Sequence, residues 1–192
     1  AGELWKKIVH NAWKSAEPGV LFWDTVPRES VPDCYADLGF GTVSTNPCGE
    51  IPLCPYDSCR LLAINLLSYV RNPFTPEAEF DFDLLKQHGE LAQRVMDDII
   101  DLELEKIEQI LAKIDHDPEP EPVKATEREL WLKIREKCLS GRRTGIGITA
   151  EGDMLAALGI RYGSDESLDF CENLHRTLAL AVYRGSVNLA RE

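Results

Sequence analysis

Prolines at 27, 32, 47, 52 and 55 cut the stretch from 24 to 58 into pieces that cannot be a helix of any length. Each proline fixes its own φ, lacks an amide donor and pushes the residue before it out of the α region. Several glycines in the same stretch add turn signals. Function placed here rides on loops and extended ribbons, held by the segments on either side.

Those flanking segments carry clear periodicities. Residues 3–16 place Leu4, Trp5, Ile8, Val9, Ala12, Trp13 and Ala16 at helical spacing, and Pro18-Gly19 stops the pattern. Val20-Leu21-Phe22-Trp23 reads as a short buried strand. The run Leu61 to Leu67 fits a strand or a buried helical turn, and periodicity does not decide between them. The strongest helix signal covers 83–114, with Leu91, Val95, Ile99 and Leu102, then Ile107, Ile110, Leu111 and Ile114, as its stripe. Asp97, Asp98, Asp101, Glu103 and Glu105 read as its solvated face. The helix lacks the Glu-x-x-His pairs of a carboxylate metal centre.

Residues 115–125, opening D-H-D-P-E-P-E-P-V, read as an exposed acidic, proline-rich loop. Thr126 and Glu129 then form a capping box for a helix carrying Leu130, Ile134 and Cys138, which Gly141 ends. In Arg142-Arg143-Thr144-Gly145-Ile146-Gly147-Ile148-Thr149, the GxG lacks the third glycine of a dinucleotide site and the Lys-Ser/Thr of a phosphate loop. It reads as a strand passing close to another backbone. Ser164 caps a final helix to about 190, with Leu168, Cys171, Leu174, Leu178 and Val182 as its stripe. Neither chain end carries a helix stop or start signal, and both read as cut.

Composition narrows the function classes. The chain has 192 residues, 44% hydrophobic and 28% charged, with a net charge of −12. That balance argues against a partner read through its phosphate backbone, so no nucleic acid is expected. No apolar run approaches the ~20 residues of a membrane span. The six cysteines, at 34, 48, 54, 59, 138 and 171, show no zinc spacing. They read as reduced thiols of a cytoplasmic protein.

Three of those cysteines fall within twelve residues, beside Asn46-Pro47-Cys48-Gly49-Glu50-Ile51-Pro52-Leu53. Pro47 and Pro52 make this segment extended, and side chains in an extended chain alternate with period two. Asn46, Cys48 and Glu50 then face one side, with small Pro47 and Gly49 between them. A thiolate nucleophile would want a cationic or histidine activator, and none is near. A carboxylate beside the thiol opposes its ionisation. The row suits hydrogen-atom chemistry at a neutral S–H, with the acid as general base on a substrate hydroxyl and the amide orienting it. The alternative is a buried cysteine in a proline-rich turn with Glu50 exposed.

The segment resembles the active-site loop of the ribonucleotide reductase large subunit, and its Pro-Cys-Gly form resembles the adenosylcobalamin-dependent (class II) branch. Leu21-Phe22-Trp23-Asp24-Thr25-Val26, Cys59-Arg60-Leu61-Leu62-Ala63-Ile64-Asn65-Leu66, Asp97-Asp98-Ile99-Ile100-Asp101 and the 142–149 block resemble further family blocks in the family's order. The resemblance implies an α/β fold: residues 1–192 as the central part of a ten-stranded α/β barrel, helix-rich, with a few strands and the catalytic loop. It implies that Cys48 is the thiyl radical that takes the ribose 3′ hydrogen, that Glu50 accepts the 3′-hydroxyl proton, and that Asn46 orients the substrate hydroxyls. Residues Asn46, Pro47, Cys48, Gly49 and Glu50 would contact substrate. Cys59 would be one of two redox-active cysteines, its partner lying upstream in the family. Cys54 matches no catalytic cysteine and reads as structural, as do Cys34, Cys138 and Cys171.

The implied cofactor is adenosylcobalamin; no Asp-x-His-x-x-Gly motif for a cobalt ligand occurs, and resemblance alone carries it. The implied partners are a ribonucleotide, a thioredoxin-like or other dithiol reductant, and the remainder of the reductase chain or a complementary fragment. The isolated chain is expected to be inactive. Alternatives are a large subunit of the class I type, served by a radical from a metal subunit, and a non-catalytic dithiol or metal-binding module.

Overall fold

The computed structural model describes residues 1–58 and 60–192. The chain divides into two compact units, Ala1–Pro55 and Tyr56–Glu192.

The first unit opens with helix α1, Gly2–Ser15, closed by Ala16 at φ 59 with its amide on Ala12 O. Leu4, Trp5, Val9 and Trp13 make the expected apolar face, and all four are exposed. The strand expected at Val20-Leu21-Phe22-Trp23 does not form. These residues are exposed and irregular, and Phe22 O instead accepts the amides of Thr25 and Val26 to start helix α2, Thr25–Glu29. A 3₁₀ helix, Val31–Leu38, follows. The prolines therefore permit short helical pieces, contrary to expectation. Pro27 and Pro32 sit in first turns, where the missing amide has no helical acceptor to lose. Asp33 then accepts from Thr42 N at 2.9 Å and from Thr42 Oγ1 at 2.5 Å, fastening the start of a hairpin. Its strands β1, Ser44–Thr45, and β2, Pro52–Leu53, pair antiparallel with Thr45 opposite Pro52.

The second unit is helix-rich α/β. Strand β3, Leu61–Asn65, resolves the apolar run as a strand, and a 3₁₀ turn, Leu66–Tyr69, completes it. A small antiparallel pair follows, β4, Val70–Arg71, and β5, Glu79–Phe80. Helix α3, Phe82–His116, and helix α4, Glu121–Gly141, then form a hairpin. Strand β6, Gly145–Thr149, returns parallel to β3, with Leu61 opposite Gly145 and Asn65 opposite Thr149. Helices α5, Glu151–Leu158, and α6, Asp165–Leu189, end the unit. Ser164 caps α6 as expected, its Oγ accepting from Ser167 N. The described residues hold this one parallel pair and no closed barrel.

The expected close approach at the GxG is present. A Cβ at Gly145 would stand 2.7 Å from Arg60 O, so only glycine lets β6 lie where it does.

Two apolar clusters divide the unit. Ile64, Leu66, Tyr69, Leu85, Met154, Leu155 and Leu174 form one, between the strands and α3, α5 and α6. Ile100, Ile107 and Cys138, flanked by Leu104, Leu111, Trp131 and Ile134, form the other inside the α3–α4 hairpin. The buried face of α3 is not the predicted one in its first half. Leu91, Val95, Ile99 and Leu102 are exposed, while Ala92, Met96 and Ile100, one residue further on, are buried. Gly89 and Gly185 set this rotation: a Cβ at Gly89 would meet Ala181 at 3.0 Å, and one at Gly185 would meet Glu90 O at 3.0 Å. The helices approach through these small residues, and the wider apolar stripe is turned away.

The expected loop at 115–125 is shorter. Helix α3 runs through His116, residues 117–120 make the link, and α4 begins at Glu121 with Pro122 in its first turn. Thr126 lies inside α4, its hydroxyl donating to Pro122 O at 3.0 Å, and does not cap it.

Candidate active site

The candidate site is the tip of the β1–β2 hairpin. Gly49 N donates to Asn46 O at 3.0 Å and Asn46 N donates to Ile51 O at 3.2 Å. The chain thus reverses between Asn46 and Gly49, which corrects the expected extended ribbon. Pro47 presets the φ of the first central turn position, and Gly49, at φ 86, takes the left-handed geometry that closes the loop.

The turn unites the outer two residues of the predicted row by a different route. Asn46 Nδ2 donates to Glu50 Oε1 at 2.5 Å, and Asn46 Oδ1 accepts Ile51 N at 3.0 Å. The carboxamide is therefore fixed at both ends and holds the acid beside it. Cys48 occupies the second central position of the turn and is exposed, as is Glu50. The buried-cysteine alternative does not hold. Such a tip can present an S–H to a bound molecule while an oriented acid stands ready to take a proton.

Next to the hairpin, in the same unit, Leu21, Phe22, Val26, Gly49 and Pro52 help line a cavity of about 400 Å³. Cys54 is 4% exposed, in keeping with a structural thiol. Cys138 is buried, Cys171 partly buried and Cys34 exposed. Cys59 lies outside the described residues. Among the described residues no group of three or more His, Cys, Asp or Glu side chains is placed to hold a metal ion.

Sequence reasoning missed an arginine network in the second unit, and misread the acids that bind it. Arg60 is 8% exposed. Its Nε donates to Glu103, its Nη1 to Arg143 O at 3.0 Å and its Nη2 to Cys138 Sγ at 3.1 Å. Burial opposes the charge on Arg60, but the Glu103 carboxylate outweighs it and holds the guanidinium pKa above its ordinary value. Burial pushes the Cys138 thiol up, against the pull of Arg60. Arg142 pairs with Asp97 at 2.7 Å and Asp101 at 2.8 Å, and the Asp97 bond in particular raises its pKa. Arg143 pairs with Asp57 at 2.6 Å. So Asp97, Asp101 and Glu103 do not simply face solvent. The available signal was the arginines standing directly before both core strands, at 60 and at 142–143, and the i, i+4 acids at 97 and 101.

A family model described as ribonucleotide reductase, barrel domain, matches residues 1–192. This chain belongs to the ribonucleotide reductase barrel-domain family. It is 34% identical over its full length to a vitamin B12-dependent ribonucleoside-diphosphate reductase of Thermoplasma acidophilum, covering 21% of that protein. It is 32% identical over its full length to the protein of the same name from Mycobacterium tuberculosis, covering 22%. A ribonucleoside-diphosphate reductase subunit alpha of Chlamydia pneumoniae is 28% identical over 98% of the chain. The chain spans about a fifth of the length of the first two.

Proposed function

We propose that this chain carries the radical-bearing loop of an adenosylcobalamin-dependent ribonucleotide reductase that makes 2′-deoxyribonucleotides for DNA synthesis and repair. The observation that carries the reading is the Asn46–Glu50 hydrogen bond flanking an exposed Cys48 on one hairpin. The vitamin B12-dependent names of relatives that match this chain over its full length support the cofactor. The accessible thiol is the group such a cofactor needs, since a hydrogen atom leaves only from an S–H that can be approached. When bound, adenosylcobalamin supplies the radical that Cys48 takes up.

The remaining roles belong to the protein. Cys48 exchanges the ribose 3′ hydrogen, Glu50 takes the 3′-hydroxyl proton, and Asn46 holds the acid and the hydroxyls in register, with Pro47 and Gly49 shaping the contact. The 2′-hydroxyl leaves as water. Cys59 and a second cysteine supply two electrons and two protons and end as a disulfide, which a thioredoxin-like or other dithiol reduces by thiol–disulfide exchange. The parallel β3–β6 pair with its helical crossover supports a place in a ten-stranded α/β barrel completed by the remainder of the reductase chain or a complementary fragment. The expected compartment is the cytoplasm; no helix of the described residues is long and apolar enough to cross a membrane.

The test is turnover of the full-length enzyme. Cys48→Ser abolishes deoxynucleotide formation while nucleotide binding persists, and Cys59→Ser stops repeated turnover. Normal steady-state turnover in either variant overturns the corresponding role. The similarity to the Chlamydia pneumoniae subunit alpha keeps a class I type alternative in view, and a requirement for a partner subunit in place of adenosylcobalamin would select it. The 192 residues alone should make no deoxynucleotide with adenosylcobalamin and a dithiol.

A further inference from the structure

The hairpin that carries Cys48 is too short to hold itself. Its strands, β1 and β2, are two residues each. A lone two-stranded hairpin is marginal in water, so bonds from outside it decide how it stands. Within the hairpin, Val43 N donates to Leu53 O at 2.9 Å and Asn46 N to Ile51 O at 3.2 Å. From outside, Asp33 grips the entry. One of its carboxylate oxygens accepts Thr42 N at 2.9 Å and the other accepts Thr42 Oγ1 at 2.5 Å. Both bonds are partly buried, and bonds to a carboxylate are about twice as strong as neutral ones. Asp33 is itself seated in the 3₁₀ helix Val31–Leu38, its amide donating to Ser30 O at 3.1 Å. At the tip, a Cβ on Gly49 would stand 3.2 Å from Leu21 Cδ2. The segment from Leu21 to Asp33 thus meets the hairpin at its tip and at its base.

We propose that Asp33 is a positioning residue for the hydrogen-transfer step: by holding the hairpin at Thr42 it sets where the Cys48 thiol stands. The proposal rests on the reading of Cys48 as the radical-bearing cysteine. In that step an S–H bond forms on Cys48 as the ribose 3′ C–H bond breaks, and the unpaired electron passes from sulfur to the 3′ carbon. A hydrogen atom crosses only between atoms in near contact, and displacement of reacting groups by even about 1 Å costs on the order of 10²-fold in rate. Thr42 and Cys48 lie on the same arm of the hairpin, so a shift at the base is carried to the thiol. Asp33 needs no contact with substrate to act in this way.

The experiment uses the full-length reductase with Asp33→Ala, Asp33→Asn, Thr42→Val and Cys48→Ser. Each is checked for folding by thermal unfolding, and its ribonucleotide-binding sites are counted by equilibrium dialysis. Alanine removes both bonds. Asparagine can keep both, accepting Thr42 N through Oδ1 and donating to Thr42 Oγ1 through Nδ2. Valine at 42 keeps the amide bond and loses the hydroxyl bond. In Asp33→Ala, kcat per binding site falls about 10- to 100-fold while the KM for ribonucleotide changes far less. Thr42→Val shows a smaller fall of the same kind, and Asp33→Asn recovers most of the rate. If Asp33→Ala does not fold, Thr42→Val decides by the same readouts. Unchanged kcat in the folded variants overturns the proposal. So does a loss of binding sites in step with turnover, which marks a merely structural role. A rate for Asp33→Asn as low as that for alanine also overturns it, because charge and not position is then the cause. Normal turnover in Cys48→Ser instead overturns the underlying reading of Cys48.

Discussion

Asn46 Nδ2 donates to Glu50 Oε1 while Asn46 Oδ1 accepts the amide of Ile51, so one carboxamide both closes the hairpin tip and aims its acid. Asn46→Ala removes both bonds, each worth about 0.5–1.5 kcal/mol, and loosens the turn. Asn46→Asp is the sharper test. It keeps the acceptor for Ile51 N but sets two carboxylates against each other, and like charges that close share a proton. In that variant the tip should be less ordered by NMR at neutral pH, where repulsion from Glu50 replaces its hydrogen bond, while the Ile51 amide keeps its partner.

Gly145 and Gly147 look alike in the sequence but differ in surroundings. A Cβ at Gly145 meets Arg60 O at 2.7 Å, whereas at Gly147 the nearest atom is Leu62 O at 4.0 Å. Gly145→Ala should cost about 1–3 kcal/mol by urea denaturation, since a backbone carbonyl must move. Gly147→Ala should cost less than about 1 kcal/mol.

Helix glycines divide in the same way. Gly185→Ala presses on Glu90 O at 3.0 Å and Gln93 Cβ at 3.1 Å and should destabilise by about 1–3 kcal/mol. Gly152, in α5, has nothing within 4 Å of a built Cβ. Gly152→Ala should stabilise by about 0.4–1 kcal/mol, through lower entropy of the unfolded chain. Opposite shifts in thermal midpoint check the pair.

Burial, with the Glu151 carboxylate alongside, pushes the Cys171 thiol from its ordinary 9.0 up to about 11. The folded protein therefore binds this proton more tightly than the unfolded chain. Between about pH 9 and pH 11 the native state retains it while the unfolded state has lost it, so stability falls as pH rises through that window. Cys171→Ala should flatten this part of the stability–pH curve measured by denaturant unfolding.

What the sequence revealed follows from how local each cause is. The Ser164 cap, the body of the long helix and the tight GxG strand depend on near neighbours or on a single missing Cβ, and all were legible. The buried face of α3 was not. Apolar residues lie on both sides of that helix, and the choice between the arcs is made by Gly89 and Gly185 from a distance in sequence. The segment from Asn46 to Leu53 was read as extended because Pro47 and Pro52 keep the residues before them out of the α region, but a turn obeys the same rule, and Gly49 selects it. The Asn46 and Glu50 side chains were placed together correctly, for a reason that the turn replaces. Arg60, Arg142 and Arg143 stayed hidden because pairing across 43, 41 and 83 positions leaves no periodic trace.

Helix α3 is shared by the two apolar clusters, one end bedded against the strands and the other zipped to α4. At ~1.5 Å per residue it is a rod of roughly 50 Å. The turns beyond Glu103, past the anchorage of Arg60 and Arg142, can therefore grow or shrink, with α4 matching them, without altering which rung of β6 meets which rung of β3. A lineage could trim or lengthen that spur and leave the strand pair untouched.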